Sequence, residues 1–149
     1  MDYNAAALEM HAKYPGKLTV NSLFEVKDRD ALSTAYTSGV AEPCRQIKAN
    51  PDDVYKYTFK GRTVAVVTNG TAVLGLGNIG PEAGLPVMEG KCVLFKEFGG
   101  VDAFPICLNA STREEVIAAV KAIAPTFGGI NLEDISAPRC FEIEAELKK

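Results

Sequence analysis

The chain has 149 residues, a size that suits one domain with its own core and needs no staples. Hydrophobic residues make up 47% and charged residues 23%, as in an ordinary soluble globular protein. The net charge of -3 and pI near 5.2 argue against a nucleic-acid binder, which needs a basic face for phosphates. Met1-Asp2-Tyr3-Asn4 shows no signal-peptide pattern, and no apolar run is long enough to span a bilayer.

In chain order, Asp2 to Lys13 reads as a helix closed by Pro15-Gly16. A connector follows from Leu18 to Lys27. Asp28 is placed to cap a short helix through Tyr36, and Val40 to Ala49 reads as another, with Pro43 in its first turn. Tyr55 to Phe59 and Thr63 to Thr68 look like the two strands of a hairpin. Thr71 to Leu76 can extend as a strand before a glycine-rich turn. Glu82 to Phe98 is predicted as a long helix, Ala103 to Leu108 as a short buried strand, and Thr112 to Ala124 as a capped amphipathic helix. Gly129 to Leu132 reads as a strand and Pro138 to Lys148 as a final helix. Strands alternating with helices predict an α/β fold, with helices packed around a small central sheet.

The cysteines at 44, 92, 107 and 140 have neither zinc-site nor C-x-x-C spacing, and are expected as reduced thiols in or near the core of a cytoplasmic protein. The single histidine, His11, reads as a surface helix residue. Any chemistry must therefore run mostly without imidazole.

Three places carry chemical potential. On a helical wheel, Leu85, Val87, Met88, Cys92, Leu94, Phe95 and Phe98 form one apolar arc, and Lys91 falls inside it. Burial disfavours a charged ammonium, so a lysine so placed can act as a general base. The alternative is a lysine that snorkels to water. Glu133-Asp134 closes the apolar run Ile130-Asn131-Leu132, and two adjacent oxygen ligands suit Mg²⁺ or Mn²⁺. Adjacent strand side chains point to opposite faces, so joint chelation needs a bend near Ile135. The alternative is one capping acid and one solvated acid before a helix. Tyr36, ahead of Thr37-Ser38-Gly39, can present a phenol to a pocket or simply pack in the core. Gly75-Leu76-Gly77-Asn78-Ile79-Gly80 matches the dinucleotide fingerprint, but no acidic strand end follows at the required spacing. It is read as a turn bringing strand and helix together.

Five blocks, in order and over nearly the whole chain, resemble the malic enzyme family in its compact prokaryotic form. They are Tyr36 to Ala41, Val64 to Gly75, Pro86 to Lys91, Asp102 to Pro105, and Gly128 to Ile135. The resemblance implies oxidation of malate with NAD or NADP, and decarboxylation of the oxaloacetate formed to pyruvate, with Mg²⁺ or Mn²⁺. It implies Lys91 as general base, Tyr36 as general acid toward the enol intermediate, and Glu133 and Asp134 as metal ligands. It implies no cofactor-binding residue among these 149, because the Rossmann domain and a third metal-binding aspartate are expected beyond Lys149. The isolated chain is then the substrate-side domain, incomplete as an enzyme, and a homodimer is expected. The alternative is a non-catalytic dimerisation or ligand-binding module. Two positions depart from the family: Ser38 stands where proline is usual, and Asn69 where aspartate is usual. Ser38 is expected to loosen the turn that aims Tyr36.

Overall fold

A computed structural model describes residues 2–149. The chain divides into two units, one made of residues 1–18 and 62–149, the other of residues 19–61.

The larger unit begins with α1 (Tyr3–Lys13), capped by the Asp2 carboxylate, which accepts from the Asn4 and Ala5 amides. Its centre is a three-stranded parallel sheet of β1 (Thr63–Thr68), β2 (Asp102–Cys107) and β3 (Gly129–Leu132), in the order β2-β1-β3. Parallel strands need crossovers, and two helices supply them: α5 (Pro81–Gly99) links β1 to β2, and α6 (Arg113–Ile123) links β2 to β3. A last helix, α7 (Arg139–Leu147), follows β3.

Register assigns the faces. Val66 pairs with Pro105 on one side and Asn131 on the other, and directly paired residues project from the same face. Val66 packs with Met88 and Cys92 of α5, and Ala103 and Cys107 join that cluster. The alternate residues Ala65 and Val67 pack with Val116 and Val120 of α6 and Ile143 of α7. Thus β1 is covered on both faces, which is why it reads as the continuous apolar run Val64-Ala65-Val66-Val67. Burying each such valine contributes roughly 1.5–3 kcal/mol. By contrast β2 is only half-buried along its length, not the buried strand expected, because it lies at the sheet edge. Pro105, which has no amide to donate, is tolerated there.

Local chemistry sets the helix ends. Pro81 occupies the first turn of α5. At its other end the Gly100 amide donates to the Lys96 carbonyl and the Val101 amide to Phe95, closing the last turn. Thr112 and Glu115 form a reciprocal capping box on α6.

The smaller unit is helical: α2 (Arg29–Ala35), α3 (Ala41–Ala49) and the single turn α4 (Val54–Tyr57). Asp28 caps α2 by accepting from the Ala31 amide, as expected. The expected hairpin is absent. Residues 54–57 are helical and Phe59–Arg62 is a 3-10 turn, while β1 pairs in parallel with distant strands. Pro51, Asp52 and Asp53 make a strong helix start, and this overrides the β preference of the aromatic residues that follow. The expected strand at residues 71–76 is a loop with one isolated antiparallel bridge between Val73 and Gly77.

Candidate active site

The three parallel strands end together. After β1 comes Asn69, after β2 Leu108, and after β3 the pair Glu133-Asp134. The first crossover, α5, covers one face of the sheet and the second, α6, covers the other. The carboxyl end of such a sheet is where open α/β folds place ligands.

Asn131 and Glu133 lie two residues apart, so β3 sends both to the face covered by α5. Lys91 meets them from that helix. Its Nζ lies 3.0 Å from Glu133 Oε2, and Asn131 Nδ2 donates to the same oxygen at 3.0 Å. The Lys91 side chain is 36% exposed and that of Glu133 25% exposed. This corrects the wheel. Gly84, Met88 and Cys92 form the buried stripe of α5, whereas Val87, Leu94 and Phe98 stay exposed. The apolar arc is wider than the buried stripe, and Lys91 sits on the flank of that stripe. Its charge is met by a carboxylate rather than sunk in hydrocarbon.

Asp134 breaks the strand. Its φ is 53°, the one positive value outside glycine among the described residues, so the bend falls one residue before the place expected. Its Oδ2 is buried without a hydrogen-bond partner. Burial pushes its carboxyl above the usual carboxylate range, and the Glu133 charge adds to this, with Lys91 acting in the opposite sense. The structure thus brings Lys91, Glu133 and Asp134 together. Two hard oxygen donors with an unpartnered buried carboxylate oxygen suit a divalent cation. No third acidic, imidazole or thiol ligand joins them among the described residues.

Tyr36 belongs to the helical unit. It ends α2, donates its amide to the Leu32 carbonyl, and is 69% exposed rather than packed in a core. Gly39 closes the turn after it by donating to Ser33. A Cβ there would lie 2.7 Å from the Thr34 carbonyl oxygen, so the turn accepts only glycine at that place.

The glycine-rich loop folds onto itself. The Gly80 amide donates to the Gly70 carbonyl, and the Val73 amide to that of Gly77. The strand after α5 ends at Cys107, and its one acid, Asp102, stands at the opposite end, paired with Lys96 and Arg62. The loop joins β1 to α5, and no acid stands at the carboxyl end of β2, where a dinucleotide fingerprint has one.

Sequence reasoning missed Asn131 and Thr71, and singled out Asn69 only as a departure from the family pattern. The two-residue spacing of Asn131 and Glu133 was a usable signal. Asn69 is buried. Its Nδ2 donates to the Ala110 carbonyl, and its Oδ1 accepts from both the amide and the hydroxyl of Thr71. An aspartate could accept those bonds but not donate to Ala110, which gives the departure at this position a structural consequence. Of the cysteines, Cys92 is buried and Cys107 and Cys140 are half-buried, but Cys44 is exposed, against expectation. It lies on α3, none of whose residues is buried. His11 lies on α1, its Nδ1 bonded to the Ala7 carbonyl.

Comparison with known proteins agrees with this geometry. The family model for the malic enzyme N-terminal domain matches residues 16–116 and 109–148. The bifunctional malic/malolactic enzyme of Bacillus subtilis is 59% identical over 149 residues, covering 100% of this chain and 36% of that protein. The NAD-dependent malic enzyme of Geobacillus stearothermophilus is 65% identical over 134 residues, covering 90% of this chain and 28% of that protein. Among solved structures, the malic enzyme from Pyrococcus horikoshii superposes with a TM-score of 0.95 at 55% identity, over 99% of this chain and 35% of that one. The chain spans roughly a third of the length of these relatives. It belongs to the malic enzyme family and corresponds to its N-terminal domain.

Proposed function

We propose that this chain is the substrate-side domain of an enzyme that oxidises malate with NAD or NADP, using Mg²⁺ or Mn²⁺, and decarboxylates the product to pyruvate. The observation that carries the reading is the Lys91–Glu133 contact beside the unpartnered Asp134 oxygen, at the carboxyl end of a parallel sheet. The family match supports it.

In this reading Glu133 and Asp134 hold the cation. When bound, the cation stabilises negative charge developing on substrate oxygens. Lys91, as the neutral amine, takes the proton from the substrate hydroxyl, and Glu133 beside it holds the ammonium so formed. Tyr36, which is exposed, gives a proton to the enol carbon. The nicotinamide cofactor is held by a nucleotide-binding domain beyond Lys149, together with a third metal-binding aspartate. The four unpaired cysteines suit a reducing cytoplasm. Exposed Tyr3 and Leu8 on α1, and exposed Val20 and Leu23 in the helical unit, supply apolar surface for a homodimer.

The test is malate-dependent reduction of NAD(P) with Mn²⁺, measured by absorbance on this chain joined to its nucleotide-binding domain. Turnover lost in Lys91→Ala and in Tyr36→Phe is expected. Normal turnover in either variant removes that residue from its role. Robust turnover by residues 1–149 alone overturns the division of labour between the two domains.

A further inference from the structure

Strict alternation along β3 would send Asp134 to the face opposite Glu133, toward α6 and α7. The alternation breaks at Asp134, which takes a left-handed backbone conformation at φ 53°. That conformation is unfavourable for a residue with a side chain and persists where the surroundings impose it.

The surroundings are two hydrogen bonds that flank the buried Ile135. The Ala72 amide donates to the Asp134 carbonyl at 3.0 Å. The Ser136 amide donates to the Thr71 hydroxyl at 2.9 Å. The Thr71 hydroxyl donates in turn to Asn69 Oδ1 at 2.7 Å, and Asn69 Nδ2 holds the Ala110 carbonyl at 3.1 Å. One hydroxyl thus joins the loop after β1 to the loop after β3, and one amide extends the chain to the loop after β2. Every donor in this path has an acceptor.

We propose that Thr71, aligned by Asn69, is a positioning residue that locks Asp134 in the left-handed conformation and so turns its carboxylate to the same side as Glu133. The proposal rests on the reading of Glu133 and Asp134 as cation ligands. Thr71 and Asn69 act through the backbone on either side of Ile135. Loss of a group that orients a ligand typically weakens metal affinity about 10- to 100-fold.

The experiment uses the 149-residue chain and Mn²⁺ alone, followed by electron paramagnetic resonance. Amide exchange at Ser136 and the intraresidue amide–Hα Overhauser effect at Asp134 report the backbone. Thr71→Val keeps the shape and removes the hydroxyl. It is expected to expose the Ser136 amide to exchange, weaken the Asp134 effect and reduce Mn²⁺ affinity about 10- to 100-fold, while Thr71→Ser restores all three. Asn69→Ala, which leaves the Thr71–Ser136 bond, gives a smaller change in the same direction and serves if Thr71→Val does not fold. Unchanged Mn²⁺ affinity in Thr71→Val, with or without altered exchange, overturns the positioning role. If the unaltered chain binds no Mn²⁺, the ligand reading fails, and the Asp134 effect in Thr71→Val still decides whether the hydroxyl imposes the backbone conformation.

Discussion

Lys91 Nζ and Glu133 Oε2, 3.0 Å apart, tie the middle of α5 to the end of β3. The pair joins two groups with different proposed tasks, proton transfer and cation binding. Glu133 is shared further with Asn131, so the carboxylate is fixed from both sides. In the two-domain enzyme, Lys91→Ala is expected to lower kcat about 10²–10⁴-fold, the range for loss of a general base. Far-ultraviolet circular dichroism should stay unchanged, because the buried stripe of α5 is Gly84, Met88 and Cys92. A kcat within twofold or so of the original would contradict the assignment.

Gly70 is the tightest point of the connector. Its φ is 68°, and a Cβ there would lie 2.0 Å from the Gly80 carbonyl oxygen, an atom of the backbone that cannot step aside. Gly70→Ala combines a left-handed penalty of about 1–2 kcal/mol with overpacking of about 1–3 kcal/mol. Urea unfolding should show a loss of roughly 2–5 kcal/mol on that basis. Gly75→Ala makes a useful contrast. Its φ is also positive, but a Cβ there meets nothing within 4 Å, so it should cost less. Equal losses would show that crowding is not the cause at Gly70.

Acid should expose the role of Asp102. Hydrogen bonds from Lys96, and then Arg62, hold its carboxyl below the usual range. A carboxylate whose value is depressed in the folded state stabilises the fold above its unfolded value of about 3.9. That contribution is lost as pH falls through the folded value. Asp102→Asn should therefore lower Tm slightly at neutral pH, and the difference should shrink as pH falls through the folded value. The effect is small because the pair is partly exposed. A difference that grows in acid would contradict this account.

The thiols should react in order of exposure. Cys44 is exposed, whereas burial pushes the Cys92 thiol up to about 11, with the Glu89 and Cys107 charges adding to it. With a disulfide reagent at about pH 8, Cys44 is expected to react first and Cys92 only on unfolding. Mass spectrometry of the labelled peptides decides the order. Early labelling of Cys92 would mean that the packing of α5 on Val66 opens readily.

Much of this was legible in the amino acids because the signals were local. Pro81 opens α5, Thr112 caps α6, and Thr63 to Thr68 was read as a strand, although as half of a hairpin rather than as the central strand covered on both faces. The predicted range of β3 matches the observed Gly129–Leu132. Two failures have physical causes. Residues 55–59 carry β-forming side chains, but a proline and two acids just before them start a helix. The wheel of α5 counted every apolar residue as buried, although Phe98 is 86% exposed. In the site, the pairing of Lys91 with Glu133 follows from the strand register, which no single-sequence pattern shows. The bend at Asp134 was anticipated in kind. Its support by Thr71 and Asn69 was not, because it depends on hydrogen bonds between loops about 65 residues apart in sequence.

Glu133 and Asp134 are proposed as two of the three protein ligands of a cation site, and Mn²⁺ binding is the decisive measurement. Titrating the 149-residue chain with Mn²⁺ under electron paramagnetic resonance should show saturable binding that disappears in the double variant Glu133→Gln, Asp134→Asn, with the fold intact by circular dichroism. Absence of binding in the unaltered chain, or binding of equal strength in the double variant, would contradict the account.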